Sequence, residues 1–286
     1  MARSKAGVVV VVVMVAIAGI AVWGLPRLWE SAKSQFASDT CTIGAYDLDP
    51  SQASVAAAMI GAATKFTPRL PAHAGVLALA AALQESKLTN IAPGSGDRDS
   101  VGVLQQRPSQ DWGKIAGLPD SIAARTQRLT DVGEATREFL AKLVQVPNWQ
   151  TLPLADAIQA VQISADGSAY AQHEPEATVL AAALRGATPA AITCDFSAPT
   201  QVAPPATVAA LARKELGITT PVAVGSTVRV PGAGWQTTAW LVANADRLGI
   251  ESVAYSGRQW TRTGGWKKST ASEAVVVATM HQLKKS

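Results

Sequence analysis

The sequence predicts a mainly α domain, preceded by one N-terminal transmembrane helix and followed by a small α+β domain. Three observations predict it. An unbroken apolar run lies near the N-terminus. Ala- and Leu-rich segments with helix-start signals fill residues 41–195. After a Pro-rich stretch the pattern changes to helices mixed with β-branched runs. The expected divisions are 1–26 for a cytoplasmic tip and anchor, 27–40 for a stalk, 41–195 for the first domain, 196–204 for a linker and 205–286 for the second domain.

The anchor rests on "GVVVVVVMVAIAGIAVWGL", an apolar run of about 19 residues, long enough to span a bilayer core as a helix. No convincing cleavage site follows it, so it reads as uncleaved rather than as a signal peptide. Arg3 and Lys5 before it favour a cytoplasmic N-terminus, with Arg27 and Lys33 weakening the contrast. The expected location is the cell membrane, single-pass, with the bulk of the chain outside the cytoplasm. No later apolar run has spanning length, which disfavours a transporter.

Charge is uneven along the chain. Residues 1–38 hold four Lys/Arg and one acid, residues 39–200 hold 11 and 16, and residues 201–286 hold 10 and four. A basic last segment suits an anionic partner, and equally a solvated surface. Two cysteines, Cys41 and Cys194, suggest a disulfide in an extracytoplasmic protein; two buried free thiols are the alternative. No C-x-x-C occurs and the three His residues are scattered, so no metal site is expected, and no cofactor.

In the first domain, Asp49-Pro50 opens a helix as a cap followed by Pro at the first helical position. "AHAGVLALAAALQES" is a second helix, apolar enough to be mostly buried. "SIAARTQRLTDVGEATREFLAKLVQV", "PLADAIQAVQIS" and "EPEATVLAAALRGA" carry the rest. Residues 89–112 hold Pro93, Gly94, Gly96, Asp97, Asp99 and Gly102, and read as a long structured loop. In the last domain "PATVAALARKELGI" and "WQTTAWLVANADRLGI" read as helices, and "STVRVP", "SVAYSGRQWTRTGGW" and "EAVVVATMHQL" as strands.

The chemistry centres on Glu85, at the C-terminal end of the most apolar helix. Burial and the negative end of the helix dipole both raise a carboxyl pKa there. A carboxylic acid kept protonated near neutral pH can protonate the leaving oxygen of a glycosidic bond. By position alone, Glu85 reads more readily as the exposed polar end of a buried helix beside Lys87.

"Glu85-Ser86", a Gly-rich loop, and then "Gly102-Val103-Leu104-Gln105" resemble the signature of lysozyme-like lytic transglycosylases and goose-type lysozymes. The resemblance covers residues 50–190. It implies a lysozyme-like fold for the mainly α domain and cleavage of the β-1,4 MurNAc–GlcNAc bond of peptidoglycan outside the cytoplasmic membrane. It implies Glu85 as general acid and then base, with Ser86, Gly102 and Gln105 holding substrate. The family's third motif, Ala-Tyr-Asn, corresponds here to Ala160-Val161-Gln162. Gln162 therefore stands for the Asn, and Tyr170 downstream offers an aromatic hydroxyl in place of the missing Tyr. Asp97 and Asp99 are possible auxiliary carboxylates that could orient water in an inverting hydrolase, or simply bond their own turns.

Trp112 and Trp149 are either sugar-stacking faces or core residues. His173 reads as a surface residue. In the last domain, Trp260 and Trp266 near basic residues suit an anionic wall polymer or envelope proteins, and equally a small core; no nucleic acid is expected. The competing function is a non-catalytic wall-binding or docking component of an envelope, secretion or conjugation complex.

Overall fold

The computed structural model describes residues 39–164 and 167–283. Its first layer of order comes from local signals already visible in the chain. Asp49 and Pro50 open α1 (Pro50–Thr64), and the Asp49 N–H donates to the Gln52 side chain at 2.7 Å. Helix α2 (His73–Ser86) is buried without interruption from Ala74 to Leu83, so it runs through the core rather than along a surface. Ser121 and Asp131 cap α3 (Ile122–Leu129) and α4 (Val132–Leu143), each side chain accepting the N–H three residues on. Helices α5 (Leu154–Gln162) and α6 (Glu174–Leu184) follow. Helix α2 packs against α1, α4, α5 and α6 and against the 3₁₀ segment Gly167–His173.

The fold class is α+β, which corrects the expectation of a mainly α domain carrying a transmembrane helix. Two antiparallel sheets accompany the helices. The first has the order β2-β1-β3, from β1 (Thr40–Ile43), β2 (Tyr46–Leu48) and β3 (Ile192–Asp195). Its strands are three or four residues long, too short to show a period, and β3 joins β1 from the far end of the helical region. Cys41 and Cys194 are register partners in β1 and β3, and they form a disulfide spanning 153 positions. As for the membrane, no helix among the described residues is long and apolar enough to cross one. The apolar run expected to do so lies outside the described residues.

The second sheet has the order β4-β5-β9-β6-β7-β8, from β4 (Val222–Val224), β5 (Thr227–Pro231), β6 (Ile250–Tyr255), β7 (Arg258–Thr261), β8 (Gly265–Lys268) and β9 (Val275–Met280). Helices α7 (Pro205–Leu216), α8 (Trp235–Ala243) and α9 (Ala245–Leu248) complete the chain. Helix α8 lies between β6 and the helical region, touching α1, α6 and β3. Gly61 lets α1 and α7 approach closely, since a Cβ there would stand 2.4 Å from the Glu215 carbonyl. Residues Thr40–Ser286 accordingly form one compact unit.

The segment 196–204, expected as a linker, is fastened to the second sheet. Phe196 is buried and its N–H donates to the Arg262 carbonyl at 2.9 Å. The Arg262 guanidinium, 2% exposed, donates to the carbonyls of Ser197, Ala245 and Ile250 and pairs with Asp246 at 3.2 Å. A buried cation is tolerable only with its donors satisfied, and here they are spread over backbone oxygens and one carboxylate. Trp260 is fully buried and donates to the Cys194 carbonyl at 3.1 Å, so it is core rather than a ligand face. Trp266 is half-buried and donates to the Ile192 carbonyl at 2.7 Å.

Candidate active site

Helix α2 becomes polar only in its last three residues, Gln84, Glu85 and Ser86, all half-buried. It ends where Lys87 adopts a left-handed conformation and its N–H turns back to the Ala82 and Leu83 carbonyls. Gln52 at the start of α1 donates to the Lys87 carbonyl at 2.8 Å, fixing this end of α2 against α1.

Two side chains from the second half of the helical region converge on Glu85. The Tyr170 hydroxyl donates to Glu85 Oε1 at 2.6 Å, and the Gln162 side chain bonds the same carboxylate. Burial is the largest influence on Glu85 and raises its pKa above the ordinary value of 4.5; the bonds from Tyr170 and Gln162 act in the opposite direction. Among the described residues, no charged group is found to act on its ionisation. Burial and Glu85 itself push the Tyr170 phenol well above its ordinary range, so it stays a proton donor. Tyr170 is fully buried and lies beside Ser164. Ser164 donates to Gln159 Oε1 at 2.8 Å, and Gln159 returns a bond to the Ser164 carbonyl at 2.9 Å.

The segment after the loop is bound to the same place. The Ser86 hydroxyl donates to the Val103 carbonyl at 2.7 Å, and Gln162 Nε2 donates to the Leu104 carbonyl at 3.0 Å. Residues on both sides of Glu85 thus hold the Gly102–Gln105 backbone. Gly102 has φ +76°, and a Cβ there would stand 2.3 Å from the Leu129 carbonyl. Packing against α3 therefore requires glycine at this position. Gln105 turns its amide back to the Gly102 carbonyl at 2.8 Å. No strand forms between residues 89 and 112; the loop is pinned by isolated bridges Ile91–Gly102 and Val101–Gln106.

Asp99 is engaged elsewhere. Against a desolvation that acts to raise it, the Ser109 hydroxyl and N–H and the Arg107 guanidinium hold its pKa at about 2. Its oxygens accept from Arg107 Nε at 2.8 Å and from the Ser109 N–H at 2.7 Å. Asp97 is exposed, 3.9 Å from Arg98. Asp99 thus serves the loop. Trp112 and Trp149 are buried, with the Lys142 ammonium over the Trp112 ring at 3.5 Å, so neither offers a stacking face.

Of the site residues expected from sequence, Glu85, Gln162 and Tyr170 meet directly, and Ser86 joins them through the Val103–Leu104 backbone. Gln105 and Gly102 belong to that backbone turn, while Asp97 and Asp99 stand apart from this network. Sequence reasoning missed Ser164 and Gln159 as supports for Tyr170. It also missed Gln84, whose Oε1 lies 2.9 Å from His173 Nε2, making His173 a half-buried partner of α2. Burial lowers the pKa of that imidazole. Among the described residues, no group of three or more His, Cys, Asp or Glu is placed to hold a metal.

Chemically, the arrangement is one partly dry carboxyl group with two neutral donors on it. Such a group can give up a proton, then take one back. In comparisons with known proteins, no family model and no curated sequence matches this chain.

Proposed function

We infer that the protein cleaves the glycan strand of peptidoglycan at the β-1,4 MurNAc–GlcNAc bond, as a lysozyme-like glycosidase or lytic transglycosylase. Glu85 protonates the leaving oxygen and then acts as base. The carrying observation is the contact of the Tyr170 hydroxyl with Glu85 Oε1, on a carboxyl whose pKa burial has raised. A raised pKa enlarges the protonated share of the carboxyl at any given pH, the direction a general acid needs.

Tyr170 and Gln162 orient the carboxyl. Ser86 acts as a positioning residue for the cleft wall, since its hydroxyl is spent on the Val103 carbonyl. The Cys41–Cys194 disulfide supports a site of action outside the cytoplasm, where such bonds persist.

The test is digestion of purified peptidoglycan by the full-length protein and by Glu85→Gln, with mass analysis of the soluble products. The expected result is muropeptide release by the parent and none by a folded variant. Equal release by both removes Glu85 from the chemistry. Wall binding without release by the parent establishes the non-catalytic reading instead.

A further inference from the structure

A second polar site lies away from Glu85. A cavity of about 490 Å³ opens where α1, the start of α4, α7 and α9 meet, and it shares no lining residue with the Glu85 network. Its volume falls within the range of small-molecule sites. Its carboxylates are already matched. Asp131 pairs with Lys214 at 2.6 Å, Glu134 pairs with Arg137, and Glu215 accepts from Arg247 at 3.1 Å and from the Trp240 indole at 2.7 Å.

Lys65 is the cation left over. It is half-buried, its ammonium donates to the Lys214 carbonyl, and among the described residues it forms no ion pair. Burial first, then the nearby Arg137, acts against its charge, while Asp131 and Glu215 act to keep it. Four cations, Lys65, Arg137, Lys214 and Arg247, therefore face three carboxylates, Asp131, Glu134 and Glu215, in one cavity, which leaves one positive charge in excess. An ammonium has three donors, so Lys65 retains capacity after the carbonyl is served.

We propose that this cavity binds a short peptide by its C-terminal carboxylate, seated between Lys65 and Arg137. The carboxylate supplies the missing counter-charge and relieves the repulsion between the two cations. A bare inorganic anion would leave most of the volume empty. The Val55 and Ala58 wall suits aliphatic side chains, and the Asp131 and Glu134 oxygens can accept from peptide N–H groups. The proposal goes beyond glycan cleavage and does not rest on it.

Calorimetric titration of the full-length protein with acetyl-Ala-Ala, its C-terminal amide and inorganic phosphate tests it. Acetyl-Ala-Ala is expected to bind about tenfold or more tightly than the amide, since a charge-assisted pair is lost in the amide. Lys65→Met is expected to lose a similar factor with an unchanged far-ultraviolet spectrum, and Lys65→Arg to retain most of the affinity. No binding of acetyl-Ala-Ala, or equal affinity for acid and amide, overturns the proposal. So does phosphate binding as tightly as the peptide, or Lys65→Met binding like the parent.

Discussion

The Tyr170 hydroxyl donates to Glu85 Oε1 across 2.6 Å, from 85 positions away in the chain. The bond couples the end of the buried helix α2 to a 3₁₀ turn that is itself supported by Ser164 and Gln159. Because Tyr170 donates, it favours the ionised carboxylate and moderates the effect of burial. Together with Gln162, the two influences set where Glu85 titrates.

Removing the donor should therefore move the titration. In Tyr170→Phe the Glu85 pKa rises further, so the alkaline limb of the pH–activity profile moves to higher pH. Activity below that limb should fall by about tenfold, the scale of one hydrogen bond to a charged group. A profile of rate against pH for both proteins checks this. An unmoved alkaline limb separates Tyr170 from the catalytic ionisation.

Glu85→Gln makes a prediction about stability as well as activity. Burial raises the folded-state pKa above the ordinary 4.5. Between those two values the native state holds a proton that the unfolded chain has released, so stability falls as pH rises through that window. The variant lacks this penalty. Its Tm should exceed the parent's at neutral pH, and the advantage should vanish near pH ~4, where both states are protonated. Thermal unfolding at several pH values reads it directly.

Asp99 gives the opposite sign. Its folded pKa of about 2 lies below the ordinary 3.8. The stability it contributes is present above the higher value and is lost as pH falls from there toward the lower one. Asp99→Asn should therefore cost roughly 1 kcal/mol near neutrality, after discounting for solvent exposure, and nothing near pH 2. Denaturant unfolding across that range measures the convergence. Muropeptide release should persist in the variant, because Asp99 is bonded to Arg107 and Ser109 and not to Glu85.

The parts of this molecule that could be read in the sequence are those fixed by local chemistry. Asp49-Pro50, Ser121 and Asp131 mark helix starts because capping involves neighbours within a turn. Glu85 and the Gly102–Gln105 segment could be related through their order and spacing. Strands β1 to β3 could not, because three or four residues carry no usable period and β3 finds β1 only in three dimensions. The packing of Gly102 was hidden for the same reason, since nothing near it in sequence announces the Leu129 carbonyl beside it. Tyr170 was visible as an aromatic hydroxyl, but its supports, Ser164 and Gln159, are ordinary polar residues until the backbone brings them together.

The disulfide closes the argument about how the helical region is held. Cys41 and Cys194 join β1 to β3 and so tie the start of the helical region to its end. A link across 153 positions removes loop-closure entropy from the unfolded chain. The loop model gives up to about 5 kcal/mol for a loop of this size. The measured loss in Cys41→Ala/Cys194→Ala should be smaller. The strands remain paired through four register positions, and Trp260 still donates to the Cys194 carbonyl. Denaturant unfolding of the double variant should show a lower midpoint, with the Glu85 network intact and muropeptide release retained at low temperature. A midpoint equal to the parent's would mean that the paired strands and the Trp260 bond already hold the two ends together without the covalent link.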